Sequence, residues 1–195
     1  MRADLGLRAC QRLTTSDVFY GDPPLESAID IHVPQAEAVA GRWYRQTDAF
    51  ADGVPLHLTL LYPWRRSPVA DTDIVALRQA LTGVAPFHVA LHSVARFPGV
   101  VYLAPNPEHP LRELTRRLAL AFPETPPYGG AVADPTPHLT VFTASDEAQL
   151  DVVAQELTVV LDRQPPVVAR VAEVVVDEER VPQRWTVRAR IPLLG

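Results

Sequence analysis

The sequence has no lysine and a single cysteine, Cys10. One cysteine cannot form an intramolecular disulfide, and no histidine lies near it in the sequence. Neither a disulfide framework nor a cysteine-based zinc site is therefore predicted. All 18 basic residues are arginine, whose planar guanidinium suits bidentate contact with phosphate better than a lysine ammonium does.

The chain also lacks long apolar runs and an excess of positive charge. No stretch approaches the roughly 18 consecutive apolar residues of a membrane span, and the first 25 residues lack the apolar run of a signal peptide. We expect a cytoplasmic protein with no membrane partner. The net charge of −5 argues against binding to a long nucleic-acid duplex, which draws most of its affinity from many neutralised phosphates. A nucleotide or a short RNA terminus stays compatible with this charge.

The apolar residues, 47% of the chain, fall into short periodic segments separated by many of its 20 prolines. Residues 1–25 end in a turn-rich boundary and are interpreted as an N-terminal extension, and residues 26–195 as one domain with two lobes. Alternation predicts strands at 27–33, 57–63, 87–97, 100–105 and 138–142, and a last hairpin made of 167–179 and 184–193. Helical spacing predicts helices at 35–46, 71–81, 111–122 and 146–161.

The word His-Leu-Thr occurs twice, at His57–Thr59 and at His138–Thr140, each time at the start of an apolar run. Each copy precedes a helix and a strand–turn–strand unit, so the element order repeats. Such self-similarity predicts two like lobes related by an approximate two-fold axis, with equivalent residues meeting between them.

In a strand, residues two apart share one face, so each copy presents an imidazole beside a hydroxyl while its leucine points to the core. Opposed copies give two imidazoles around a space that contains two hydroxyls. In-line displacement at phosphorus needs a base on one side and an acid on the other, and imidazole can serve as either. Hydroxyls can donate to the charged equatorial oxygens. The pattern indicates phosphoester chemistry by His57 and His138, with Thr59 and Thr140 on the phosphate.

Two other interpretations of the histidines are open. One copy of the word alone is typical of a structural strand, because threonine is common there. A zinc site made by both histidines needs a third ligand, and Asp134 or Glu124 in the intervening loop is the available choice. His32 faces away from Ile31 and Val33 in its predicted strand, where a structural or surface role is expected.

The segments HLTLLYP and PHLTVF, about eighty residues apart, make this chain resemble the 2H phosphoesterase superfamily, and in it the 2′-5′ RNA ligase-like branch. The strand–helix entry IDIHVPQAEAVAGRWYRQ and the PYGG segment before the second motif extend the resemblance over roughly residues 26–195. It implies a bilobal α+β fold with an antiparallel sheet and flanking helices in each lobe. It also implies cleavage of 2′,3′-cyclic or 2′-5′ phosphodiesters without a metal or other cofactor, with 2′-5′ ligation as the reverse reaction.

The resemblance assigns His57 as the acid that protonates the leaving oxygen and His138 as the base that activates the nucleophile. RNA-processing members of the family often carry an arginine shortly after the second motif, whereas Phe142, Thr143 and Ala144 follow it here. The candidate replacements for substrate contact are Arg65 and Arg66. Tyr62 and Tyr128 are candidates to stack on a base at the mouth of the cleft.

The sequence therefore predicts a monomeric hydrolase that acts on a small nucleotide or an RNA end. It leaves two alternatives open. One is a module that binds cyclic-phosphate or 2′-5′-linked ends without turnover. The other is an enzyme of the same fold that acts on a cyclic phosphate outside RNA.

Overall fold

One eight-stranded antiparallel sheet, with helices packed against it, organises the computed structural model, which describes residues 25–132 and 134–195. The predicted N-terminal extension lies outside the described residues except for its last position. The strands are β1 (Ser27–His32), β2 (His57–Leu61), β3 (Phe87–Phe97), β4 (Val100–Asn106), β5 (Leu139–Thr143), β6 (Val167–Val171), β7 (Glu173–Val181) and β8 (Arg184–Pro192).

The helices begin where the sequence supplies start signals. Asp146 caps the last helix, accepting a hydrogen bond from the Ala148 N–H, and a proline stands in the first turn of the fourth. The α-helices are α1 (Glu37–Tyr44), α2 (Asp48–Ala51), α3 (Asp71–Ala80), α4 (His109–Ala121) and α5 (Glu147–Leu161), and 3-10 turns lie at Pro34–Ala36 and Pro127–Gly130. No helix in the described part of the chain is long and apolar enough to cross a bilayer.

The α+β class predicted from the sequence is confirmed, and the predicted bilobal arrangement is consistent with the strand order, although the two lobes share one continuous sheet. The strand order is β6-β3-β4-β5-β2-β1-β7-β8, so β5 and β2 lie at the centre of the sheet. We call β2, β1, β7 and β8 the first-motif lobe, and β5, β4, β3 and β6 the second-motif lobe. In each lobe the motif strand is innermost.

One predicted strand was wrong. Residues 167–179 do not form one strand of the last hairpin, because the strand is interrupted at Ala172. β6 pairs with β3 in the second-motif lobe, whereas β7 pairs with β1 and β8 in the first-motif lobe. The Ala172 carbonyl accepts from the Leu193 N–H, so the residue between the two strands is held in place as the chain crosses from lobe to lobe.

The lobes also differ from the two halves of the sequence. The β3–β4 hairpin follows the first motif in the chain but pairs with β5, the strand of the second motif. The β7–β8 hairpin follows the second motif but pairs with β1, beside the first. The helices are exchanged between the lobes in the same way, since α1 packs on β5 and α4 packs on β2. Each half of the sequence therefore completes the lobe of the other half.

Candidate active site

The two His-Leu-Thr motifs lie side by side at the junction of the lobes. β2 and β5 pair antiparallel through Leu58 and Leu139, which are 1% and 0% exposed and belong to the hydrophobic core. Because the leucines point into the core, the flanking histidines and threonines share the opposite face of the sheet. Continuing the register by one residue brings His57 towards Thr140 and His138 towards Thr59. We call this junction of the lobes the seam. The predicted approach of the four side chains at the seam therefore depends on the Leu58–Leu139 pair.

Both imidazoles are anchored in the same way. His57 Nδ1 lies 2.8 Å from the carbonyl oxygen of Pro55, and His138 Nδ1 lies 2.8 Å from that of Thr136. A carbonyl oxygen only accepts, so Nδ1 carries the proton in each ring and donates it. In the neutral ring Nε2 then carries a lone pair. The carbonyl two residues earlier thus fixes both the tautomer and the direction of each ring.

Burial favours the neutral form of both rings. Desolvation lowers the pKa of His57, although the Pro55 carbonyl and the Asp177 carboxylate act in the opposite direction. Desolvation also lowers the pKa of His138, and the charge of His57 lowers it further. Since each proton on one ring opposes a proton on the other, the pair titrates as a unit.

The first motif borders a cluster of buried polar residues, which we call the Asp30–Asp177–His32 cluster. In the β1–β2 ladder Asp30 lies across from Thr59 and His32 across from His57. His32 Nε2 lies 2.6 Å from Asp177 Oδ2, and these side chains are 9% and 4% exposed. Asp30 Oδ1 is buried and has no hydrogen-bond partner. Burial, and then the neighbouring Asp177, raise the pKa of Asp30 well above its usual range, which favours the neutral form of this carboxyl.

The second motif borders aromatic rings instead. His138 meets the ring of Phe97 edge-on, with 5.2 Å between centroids, and the ring of Tyr102 at 5.5 Å. Phe97 and Tyr102 stack on each other at 4.3 Å. Tyr102 also lies across from Thr140 in the β4–β5 ladder, at the position that Asp30 holds beside Thr59. The two motifs are therefore equivalent in backbone and different in electrostatics.

A cavity of about 590 Å³ opens on the side of the first motif. Its wall includes His32 and Asp177 from the cluster, and Pro55, whose carbonyl holds His57. Arg170 and Arg190 also line it, and Arg190 is ion-paired with Glu173. The volume is in the range of small-molecule sites.

The two arginines predicted as substrate contacts lie in different surroundings. Arg65 Nε lies 2.9 Å from Asp73 and a second guanidinium nitrogen lies 2.6 Å from Glu124, while the group also sits over the ring of Phe122. Arg65 therefore links the segment after β2 to α3 and to the residues that follow α4. Arg66 is exposed and forms an isolated β-bridge with Glu26.

The two predicted tyrosines are brought together. The Tyr128 N–H donates to the Tyr62 carbonyl at 2.7 Å, which places the PYGG segment against the end of β2. Tyr128 has φ of +52°, a left-handed conformation that is uncommon for a residue other than glycine. The Tyr62 hydroxyl donates to Glu26 at 2.6 Å, and its ring lies 6.2 Å from that of Trp185.

The candidate third zinc ligands are engaged elsewhere. Glu124 pairs with Arg65, and Asp134 pairs with Arg112. Across residues 25–132 and 134–195, no three His, Cys, Asp or Glu side chains are grouped so as to hold a metal ion.

Sequence reasoning missed Asp30 and Asp177 as neighbours of the site. Asp30 precedes His32 by two residues on the same face of β1, and this spacing is a signal that it shares the surroundings of that histidine. Asp177 follows three valines, and a carboxylate at the end of such a run is a candidate for a buried polar partner.

Comparison with known families agrees with this geometry. The family model of the 2′-5′ RNA ligase superfamily matches residues 28–180, which include both motifs. The chain belongs to this superfamily. The resemblance to 2H phosphoesterases deduced from the two motifs is thereby confirmed.

Solved structures share the fold of this 2′-5′ RNA ligase superfamily member. The crystal structure of E. coli LigT complexed with NADP+ aligns with a TM-score of 0.59 at 19% identity, over 89% of this chain and 100% of LigT. LigT complexed with 3′-AMP aligns with the same TM-score at 18% identity, again over 89% and 100%. TT0787 of Thermus thermophilus aligns at 0.59 and 21% identity, over 87% of this chain and 98% of TT0787. No curated protein matches the sequence significantly.

Proposed function

We propose that this protein hydrolyses 2′,3′-cyclic or 2′-5′ phosphodiesters of a nucleotide or an RNA end by metal-independent acid–base catalysis. The observation that carries the proposal is the pair of imidazoles on one face of the sheet, each anchored through Nδ1 with Nε2 left for chemistry. Membership of the 2′-5′ RNA ligase superfamily supports the substrate class. The hydroxyls of Thr59 and Thr140 complete the site.

In the proposed reaction on a cyclic phosphate, the oxygen of a water molecule forms a bond to phosphorus as the bond from phosphorus to the ribose 3′ oxygen breaks. His138 Nε2 accepts the proton that the water loses, and His57 Nε2 gives its proton to the departing oxygen. The product is a 2′-phosphate beside a free 3′ hydroxyl. His57 regains a proton and His138 loses one before the next turnover. When a 5′ hydroxyl takes the place of water, the same displacement joins two ends through a 2′-5′ diester. In the reverse direction the 3′ hydroxyl attacks the phosphorus of that diester, and the 5′ oxygen leaves with a proton.

The surroundings of the two rings support these roles. His138 is enclosed by the rings of Phe97 and Tyr102, which favours a neutral imidazole able to accept a proton. Burial lowers the pKa of His57 as well, and the Pro55 carbonyl and the Asp177 carboxylate oppose part of this shift. The hydroxyls are uncharged donors that reach the equatorial oxygens without adding a fixed charge.

The first test is turnover of 2′,3′-cyclic mononucleotides, 2′-5′ dinucleotides and cyclic oligonucleotides in excess chelator. We expect turnover of at least one substrate. His57→Ala and His138→Ala should each lower kcat by about 10²–10⁴-fold, the usual contribution of a general acid or base. The double variant should lose less than the product of the two losses, because the groups act as a unit. His92→Ala is the matched control, since His92 is an exposed histidine of the same sheet.

Two results would contradict the proposal. Activity that disappears in chelator and returns with one added divalent ion would indicate a metal enzyme. Tight binding of cyclic-phosphate ends without any turnover would favour the binding module instead. If only cyclic phosphates outside RNA react, the mechanism stands and the substrate changes.

A further inference from the structure

The ring of His138 is held in two ways, whereas the ring of His57 is held in one. Both imidazoles are fixed at Nδ1 by a carbonyl oxygen two residues earlier. A single hydrogen bond tolerates a range of angles, so it leaves a ring free to tilt. His138 also meets Phe97 and Tyr102 edge-on, while within the described part of the chain His57 has no aromatic ring in contact.

Phe97 and Tyr102 form a stacked pair beside His138, with 4.3 Å between their centroids and 23° between their planes. The plane of His138 stands at 89° to that of Phe97 and at 66° to that of Tyr102. Aromatic rings favour such steep contacts, because the positive edge of one ring meets the negative face of another. A tilt of the imidazole would disturb both contacts at once. The stacked pair therefore sets the plane of His138 and the direction of its Nε2.

Phe97 is the member of the pair that can be changed without disturbing the central ladder. Tyr102 is 7% exposed and lies across from Thr140 in the β4–β5 ladder, whereas Phe97 is half-buried and ends β3. The side chain of Phe97 consists of carbon and hydrogen only. It excludes water from the flank of His138 and offers no hydrogen bond that would compete with the imidazole.

The turn that follows Phe97 is fastened to α5. Arg96 points to the opposite face of β3 from its neighbour Phe97 and forms ion pairs with Glu147 and Asp151 of α5. The Gly99 N–H donates to Glu147 Oε1 at 3.2 Å. These contacts hold the tip of the β3–β4 hairpin, and with it the ring of Phe97, against movement away from the second motif.

We propose that Phe97 is a positioning residue for His138: its ring fixes the plane of the imidazole and closes one flank to water, so that Nε2 points at the nucleophile. Phe97 touches no reacting atom in this role and acts through His138 alone. The proposal rests on the function proposed above, in which His138 is the base, and adds what directs that base.

The kinetic test compares Phe97→Leu with Phe97→Tyr on the best substrate of the panel above. Phe97→Leu keeps an apolar side chain but removes the ring, so kcat should fall by about 10- to 100-fold, as expected for a misdirected catalytic group, with little change in KM. Phe97→Tyr keeps the ring and should retain nearly all of kcat. Phe87→Leu is the matched control, because Phe87 is a half-buried phenylalanine at the other end of β3.

A second test needs no substrate and follows the His138 imidazole by NMR in the His57→Ala background, where only one ring of the pair titrates. The spectrum of His138→Ala assigns the signal. Adding Phe97→Leu should shift the His138 ring protons, because an edge-on aromatic ring changes their chemical shift. The pKa of His138, which burial lowers, should rise towards about 6.5, the ordinary value, as water reaches the ring. Adding Phe97→Tyr or Phe87→Leu should leave the pKa where it is.

Three kinetic results would overturn the proposal: an unchanged kcat in Phe97→Leu, an equal loss in Phe87→Leu, or a loss that Phe97→Tyr shares. A rise in KM at constant kcat would also overturn it, since Phe97 would then contact the substrate. So would an unchanged His138 signal and pKa in Phe97→Leu. If the NMR changes occur as expected while no phosphodiester is hydrolysed, the proposed function fails and the hold of Phe97 on His138 stands.

Discussion

Thr59 and Thr140 hold matching backbone positions, but their neighbours differ. Thr59 lies across from the buried carboxyl of Asp30, and Thr140 lies across from Tyr102. With a phosphate bound, the Thr140 hydroxyl would have the phosphate as its polar partner, whereas the Thr59 hydroxyl would have both the phosphate and Asp30. Loss of the Thr59 hydroxyl should therefore lower the stability of the fold more than loss of the Thr140 hydroxyl.

We expect Thr59→Val and Thr140→Val to lower kcat, because each loses a donor to the developing charge while a β-branched side chain keeps the strand intact. The loss should be about 5–150-fold for each, equivalent to about 1–3 kcal/mol for one lost polar partner. Kinetics and thermal unfolding of the same samples check this. Thr59→Val should also change stability more, because it removes a partner of a buried carboxyl. Equal loss of stability and full activity in both variants would show that the hydroxyls serve the strand only.

At the scale of elements, the site depends on one contact between strands. β2 and β5 carry the catalytic candidates, and the ladder between them is the Leu58–Leu139 pair. Helices pack behind these strands in exchanged fashion, with α1 on β5 and α4 on β2. The relative position of the two motifs is thus set by packing at the leucines and not by a long run of hydrogen bonds.

Leu139→Ala should therefore affect catalysis as well as stability. Leu139 is fully buried, and the truncation should cost about 2–5 kcal/mol of unfolding free energy. Leu157→Ala in α5 removes an equally buried side chain away from the seam and is the matched control. At a temperature where both variants are folded, kcat should fall in Leu139→Ala and stay near normal in Leu157→Ala. Equal kcat in the two variants would show that the seam is not what aligns the motifs.

Local patterns in the sequence were sufficient for most elements. The alternation at 87–97 and the proline–glycine turn after it predicted β3 with its observed bounds. The repeated motif predicted that its two strands lie next to each other, which the Leu58–Leu139 pair confirms. The break at Ala172 was not predicted, because no proline or glycine separates the two strands and only the pairing partners change. The exchange of hairpins between lobes depends equally on long-range pairing, which local patterns do not specify.

The buried cluster was missed for a related reason. A strand such as 27–33 shows which residues share a face, but not what covers that face. The local pattern gives His32 a structural or surface role because this residue faces away from Ile31 and Val33. The cover comes from Asp177, 145 residues later in the chain, and nothing local connects the two. The roles of His57, His138, Thr59 and Thr140, and those of Arg65, Arg66, Tyr62 and Tyr128, stay predictions.

At the scale of the whole molecule, the neutral Asp30 couples stability to pH. Its pKa is raised in the folded state, so between about pH 4, where an unfolded aspartate ionises, and the raised value, the folded protein holds a proton that the unfolded chain has lost. Stability then falls as pH rises through this window, by about 1.4 kcal/mol per pH unit for one proton.

Asp30→Asn should remove this contribution, because the amide is neutral in both states and can still donate to Asp177. Urea unfolding at a series of pH values should show a shallower decline above about pH 4 for the variant, and greater stability than the wild type near neutral pH. A variant that runs parallel to the wild type at every pH would mean that Asp30 is ionised in the folded protein.

The exchange of hairpins between the lobes has a consequence for how the chain is made. The first-motif lobe begins with β1 near residue 27 and is completed by β7 and β8, so its assembly waits until residues 173–192 have left the ribosome. Until then the edge of β1 has no neighbour on one side, and its backbone groups can pair with a strand from another molecule. Closing such distant contacts is slow, because the entropy of a long loop is lost before the contact forms. We therefore expect the same crossing that brings Asp177 to His32 to leave newly synthesised protein open to such pairing until β7 is in place.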